Sequence, residues 1–111
     1  MKRAVIALIA GVAMVPMAAS AETWKNAALV DVMCSTKAKA NPDAHTKACA
    51  LQCQNSGFGI ITADGEFLTF DSAGNQKAIE VLKSSKQNDK LRVTVSGERS
   101  GDTIKVLSVT L

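Results

Sequence analysis

Apolar and polar side chains alternate most cleanly near the end of the chain, where Leu91, Val93 and Val95 interleave with Arg92, Thr94 and Ser96. A period of two puts the apolar set on one face of a strand. Ser100-Gly101-Asp102 then turns the chain into Thr103 to Leu111, so residues 91–111 are predicted to form a β-hairpin. In the return strand Ile104 and Val106 share one face, whereas Leu107, Val109 and Leu111 share the other. The buried face therefore switches near Leu107, which requires a bulge or sharp bend of the kind small closed barrels use at their corners.

Upstream, Phe58-Gly59-Ile60-Ile61-Thr62 and Phe67-Leu68-Thr69-Phe70 are β-prone runs joined through Asp64-Gly65. An Asp-Gly pair between such runs is a strong hairpin signal. Between the two hairpins Ala78, Ile79 and Leu82 recur on one face of a short helix, and the polar stretch from Ser84 to Lys90 ends it. A first strand is expected over Ala27–Met33, and a loop over Cys34–Asn41, where Ser, Thr, Lys and Ala follow no clean period. Asn41-Pro42-Asp43 reads as a helix start, because Asn caps, Pro is tolerated at the first helical position and Asp suits the positive end of the dipole. That helix is predicted over about 42–54, stopped by Asn55-Ser56-Gly57. The sum is a mainly β (α+β) protein. It is a small OB-like Greek-key barrel with an inserted Cys/His helix after strand 1 and a second short helix between strands 3 and 4.

The first residues follow a different pattern. Met1-Lys2-Arg3, an apolar run from Ala4 to Val15 and the small-residue string Ala19-Ser20-Ala21 make a cleavable signal peptide over 1–21. The apolar run is shorter than the roughly 20 residues a spanning helix needs. The mature chain, 22–111, is then a single domain without a transmembrane segment, located in a periplasmic or secreted compartment. Losing Lys2 and Arg3 lowers the formal charge from +3 to +1. A near-neutral surface of mixed sign lacks the basic stripe that nucleic acid binding requires. The expected partner is instead a protein or a small ligand.

All of the distinctive chemistry lies in one segment. The single His, His45, and all three cysteines, Cys34, Cys49 and Cys53, fall within residues 34–53. Imidazole with thiolates is a ligand set for zinc, and it also suits copper. On a helix, His45 and Cys49 would share a face at i, i+4. Cys53 lies eight residues beyond His45, about 12 Å along a straight helix, so a four-ligand site needs the helix to end or bend around 50–53. The alternative is a disulfide from Cys34 to Cys49 or to Cys53, closing a loop worth about 3 kcal/mol and leaving one thiol over. A Cys49–Cys53 bridge is disfavoured, since side chains one turn apart run nearly parallel.

Elsewhere the sequence offers bland readings. Trp24 reads as a core or rim anchor, and Phe58, Phe67 and Phe70 as core rather than a base-stacking platform. There is no Gly-rich phosphate loop and no second His for a Ser-His-Asp arrangement. The segment Cys34, His45-Thr46, Cys49-Ala50-Leu51, Cys53 and Gly57, with Asp64-Gly65 and the ending Val93-Thr94-Val95-Ser96-Gly97 and Asp102-Thr103-Ile104-Lys105-Val106, resembles short exported bacterial proteins of unassigned role. Those proteins carry a Cys–His–Cys–Cys segment ahead of an OB-like barrel. The resemblance implies the fold, and no activity. The expected function is a non-catalytic binding or accessory module, not an enzyme, whose cluster is tied by a disulfide or a metal. The alternatives are a zinc- or copper-handling protein and a thiol redox protein.

Overall fold

The computed structural model describes residues 21–111, so the signal-peptide expectation falls almost wholly outside the described residues. Five strands close into a barrel: β1 (Glu22–Asp31), β2 (Phe58–Ile61), β3 (Phe67–Phe70), β4 (Arg92–Ser100) and β5 (Thr103–Thr110), in the order β1-β2-β3-β5-β4. Neighbours pair antiparallel except β3 and β5, which close the barrel in parallel through Thr69 opposite Thr103 and Phe70 opposite Ile104. This is an OB-like α+β barrel. Among the described residues three α-helices accompany it, α1 (Ser35–Ala40), α2 (Lys47–Gln52) and α3 (Ser72–Ser84), with short 3-10 segments at Pro42–Ala44 and Gln54–Ser56. Among the described residues no helix is long and apolar enough to cross a membrane.

Both predicted hairpins are present, with Asp64-Gly65 and Gly101-Asp102 at their tips. The face switch near Leu107 is a slip in register: Ser96 faces Ser108 but Gly97 faces Val106. Leu107 is left opposite no partner and is exposed, while Ile104, Val106 and Val109 stay buried. Gly97 is needed at this bulge, because a Cβ there would run into the Lys105 carbonyl oxygen and the Ile104 side chain. Helix α3 packs Ala78 and Leu82 into the core. It begins at Asp71, whose Oδ1 accepts from the Gly74 amide at 2.9 Å and from the Val106 amide at 3.2 Å. One carboxylate thus caps the helix and ties it to β5.

Strand β1 starts earlier and stops sooner than the apolar run Ala27–Met33 predicts, at Glu22 and Asp31. It serves two neighbours, β2 and β4, and bends between them at an irregularity between Trp24 and Ala27, where Asn26 takes φ +54°. Asn tolerates that left-handed conformation better than most residues. The second half of β1 is covered on both faces. Ala27 and Leu29 point into the barrel core, and Ala28 and Val30 pack with Ile61 and Ala38 of α1 on the outside.

The single helix expected over about 42–54 is broken, and the loop expected over 34–41 contains α1. Pro42–Ala44 form one 3-10 turn, His45 is extended at φ −71°, ψ 129°, and α2 begins only after Thr46. Thr46 wins the role of cap: its Oγ1 accepts from the Cys49 amide at 3.1 Å. A Thr oxygen three residues before a free amide offers the backbone a start that competes with continuing the helix. The break is held from outside. The Asp43 carbonyl accepts from the Lys90 amide, the Asp43 carboxylate meets Arg92 Nε at 2.9 Å, and Lys47 Nζ donates to the Ser85 carbonyl at 2.6 Å.

Candidate metal centre

The register of β1 on β2 builds the site. Asp31 pairs with Phe58, and the two chains continue side by side beyond the ladder. The Val32 amide donates to the Gly57 carbonyl at 2.9 Å, and the Met33 amide to Ser56 Oγ at 3.1 Å. The next residue along β1's exit is Cys34, and the residues arriving from the other direction include Cys53, at the end of α2. Gly57, at φ +89°, lets the chain turn from the 3-10 segment Gln54–Ser56 into β2. Two cysteines 19 positions apart in sequence are brought together by strand pairing.

Their third neighbour is Asp31. One ligand atom from each of Asp31, Cys34 and Cys53 falls within 4.8 Å of the others. Asp31 is 0% exposed. Its Oδ2 accepts from the Cys34 amide at 3.0 Å. Its Oδ1 lies 2.7 Å from His45 Nε2, on a side chain only 7% exposed. At that separation the imidazole is the direct partner of Oδ1. Burying a polar atom without a partner costs free energy, and a buried carboxylate oxygen costs most of all. Burial also pushes the Cys34 thiol above its ordinary range, with the Asp31 charge and the Cys53 thiol adding to the effect.

The predicted set Cys34, His45, Cys49 and Cys53 is therefore divided. Cys34 and Cys53 meet. His45 is drawn to Asp31 instead of sharing a helix face with Cys49, because the chain breaks between them. Cys49 is exposed and outside the close group. All three cysteines are free thiols. Asp31 was the ligand that cysteine and histidine counting missed. Its signal in the sequence is a lone acid between Val30 and Val32, in an apolar run that has to be buried.

Beside the cluster a cleft of about 320 Å³ opens between α1 and α2. Cys34, Lys37 and Ala38 line one side, Ala44 and His45 the connecting turn, and Cys49 the other side. Its size is at the lower end for small-molecule sites. Comparison with known proteins returns no match to a family model, to a curated protein or to a solved structure.

Proposed function

We propose that the chain is an exported, non-catalytic binding module whose ligand is a soft divalent or monovalent transition-metal ion, zinc or copper(I), held by Asp31, Cys34 and Cys53 with His45 beside them. The observation that carries this reading is the fully buried Asp31 carboxylate, which gathers with the Cys34 and Cys53 thiols so that one ligand atom of each lies within 4.8 Å of the others. A cation would offset the negative charge that a buried carboxylate and two thiolates bring together there. Two thiolates, a carboxylate and an imidazole fall within the donor chemistry of zinc, and the sulfur pair suits copper(I). Export rests on the charged, apolar and small-residue succession over 1–21; kinship with the exported Cys–His–Cys–Cys proteins rests on Cys34, His45, Cys49 and Cys53 ahead of an OB-like barrel.

A second reading has its own observation. The Cys34 and Cys53 sulfurs lie within 4.8 Å of one another, so a modest side-chain rotation would allow a disulfide, leaving Cys49 as the unpaired thiol. Mass spectrometry of the mature protein under native and denaturing conditions separates the two. The metal reading expects one ion per chain, lost on denaturation, with three thiols alkylated afterwards. Asp31→Asn should weaken the ion's binding by about 10–100-fold. A chain two daltons light, with one reactive thiol and no ion, would replace the metal by the disulfide.

A further inference from the structure

Cys34 belongs both to the cluster and to the wall of the cleft, whereas Asp31 and Cys53 are not part of that wall. The cleft therefore meets the cluster at Cys34. A second thiol, Cys49, stands on the same cleft, exposed and outside the close group. Its backbone is fixed by the Thr46 cap at the first turn of α2, and α2 is pinned through Lys47 to Ser85. The same lining carries His45, nine-tenths buried, whose Nε2 lies 2.7 Å from Asp31 Oδ1. A soft ion in the cleft thus finds one thiol that stands apart from the cluster, Cys49, and one that belongs to it, Cys34.

From this arrangement we infer that Cys49 is an exchange ligand, the thiol that takes an ion entering the cleft and hands it to Cys34. The inference rests on the metal reading above and adds the route. Ligand replacement at a filled-shell ion is easiest when the incoming donor binds before the outgoing one leaves, and such ions expand their coordination readily. Cys49 gives its proton to solvent as its sulfur binds the ion. It recovers a proton when the ion moves on to Cys34 and Cys53, whose own thiol protons are then released. No oxidation state changes. A relay that speeds arrival must speed departure by the same factor, so it leaves the equilibrium untouched.

The test is stopped-flow transfer of zinc, and of copper(I) under anaerobic reducing conditions, between a chromophoric chelator and the full-length mature protein. The exposed Cys49→Ser variant is compared with wild type, after circular dichroism has established that both are folded. Loading and removal should both slow by about tenfold, the loss expected when a tethered donor at millimolar effective concentration is removed, while Kd stays within twofold. Unchanged rates would overturn the inference and leave the metal reading standing. A weakened Kd with unchanged loading would make Cys49 a resident ligand and also overturn it. So would normal kinetics in Cys49→Ser together with slow loading in Met33→Leu, which would put access on the side of the exposed Met33. Failure of wild type to bind either ion defeats the metal reading itself.

Discussion

Truncating His45 to alanine removes the imidazole that meets the buried Oδ1 of Asp31 at 2.7 Å. Oδ2 keeps its bond from the Cys34 amide, so the loss falls on one oxygen. Leaving a buried carboxylate without its partner costs about 3–5 kcal/mol, the range for breaking a buried pair from one side. Here the deleted ring borders the cleft, and water can follow it in, which places the expected cost at the low end, about 3 kcal/mol. For a domain of this size that is a fall in Tm of about 12–24 °C. The measurement is urea unfolding with a chelator and a reductant present, so that neither an ion nor a disulfide contributes. Repeating it in an Asp31→Asn background isolates the pair: without the carboxylate, His45→Ala should cost about 1–2 kcal/mol less. A cost below about 1 kcal/mol, equal in both backgrounds, would refute the reasoning and make His45 an ordinary helix-edge residue.

Gly97→Ala should destabilise the barrel by about 3 kcal/mol, the upper range for overpacking, because the added methyl meets the Lys105 backbone, which cannot swing aside; a loss under about 1 kcal/mol in chemical unfolding would mean the bulge is soft. The pair that holds the break in the Cys/His segment should show itself through pH. Arg92, by hydrogen bond and by charge, holds the Asp43 carboxyl below its ordinary range. A depressed acid stabilises the fold above its unfolded value, near pH 4, and loses that effect as pH falls through the folded value. Asp43→Asn should therefore be less stable than wild type at neutral pH and converge with it in acid; a constant gap across the titration would disconnect the pair from stability.

The barrel was legible because its signals are local. Asp64-Gly65 between β-prone runs, and the alternation from Leu91 to Ser96, each decide a hairpin without knowledge of the rest of the chain. The Leu107 face switch revealed even the bulge. The Cys/His segment was not legible, since its shape is set from a distance. Asn41-Pro42-Asp43 and Thr46 are both good helix starts, and sequence alone gives no reason to choose. The choice is made by Lys90, Arg92 and Ser85, more than 35 positions away, which grip Asp43 and Lys47. Helix α1 escaped because six residues are too few to display a period. Asp31 was hidden for a related reason: its partner His45 reaches it only because the chain breaks after Ala44, and that break was read as continuous helix.

The double allegiance of β1 has a temporal consequence. During synthesis this strand is made first, and the hairpin with β2 and β3 can form around it soon after. Its other edge must wait for β4, where Glu22 finds Gly97 and Ala28 finds Arg92. Contacts so distant in sequence form late, and domains assemble only as the chain that completes them arrives. Arg92 belongs to that last hairpin and also clamps Asp43. Until it arrives, the segment bearing His45 lacks one of its anchors, and the carboxylate of Asp31 has no finished barrel to bury it. On the metal reading, a cation offered to the nascent chain would find sulfur atoms on a loose thread, and selectivity for one ion over another would begin only when the last strand is in place.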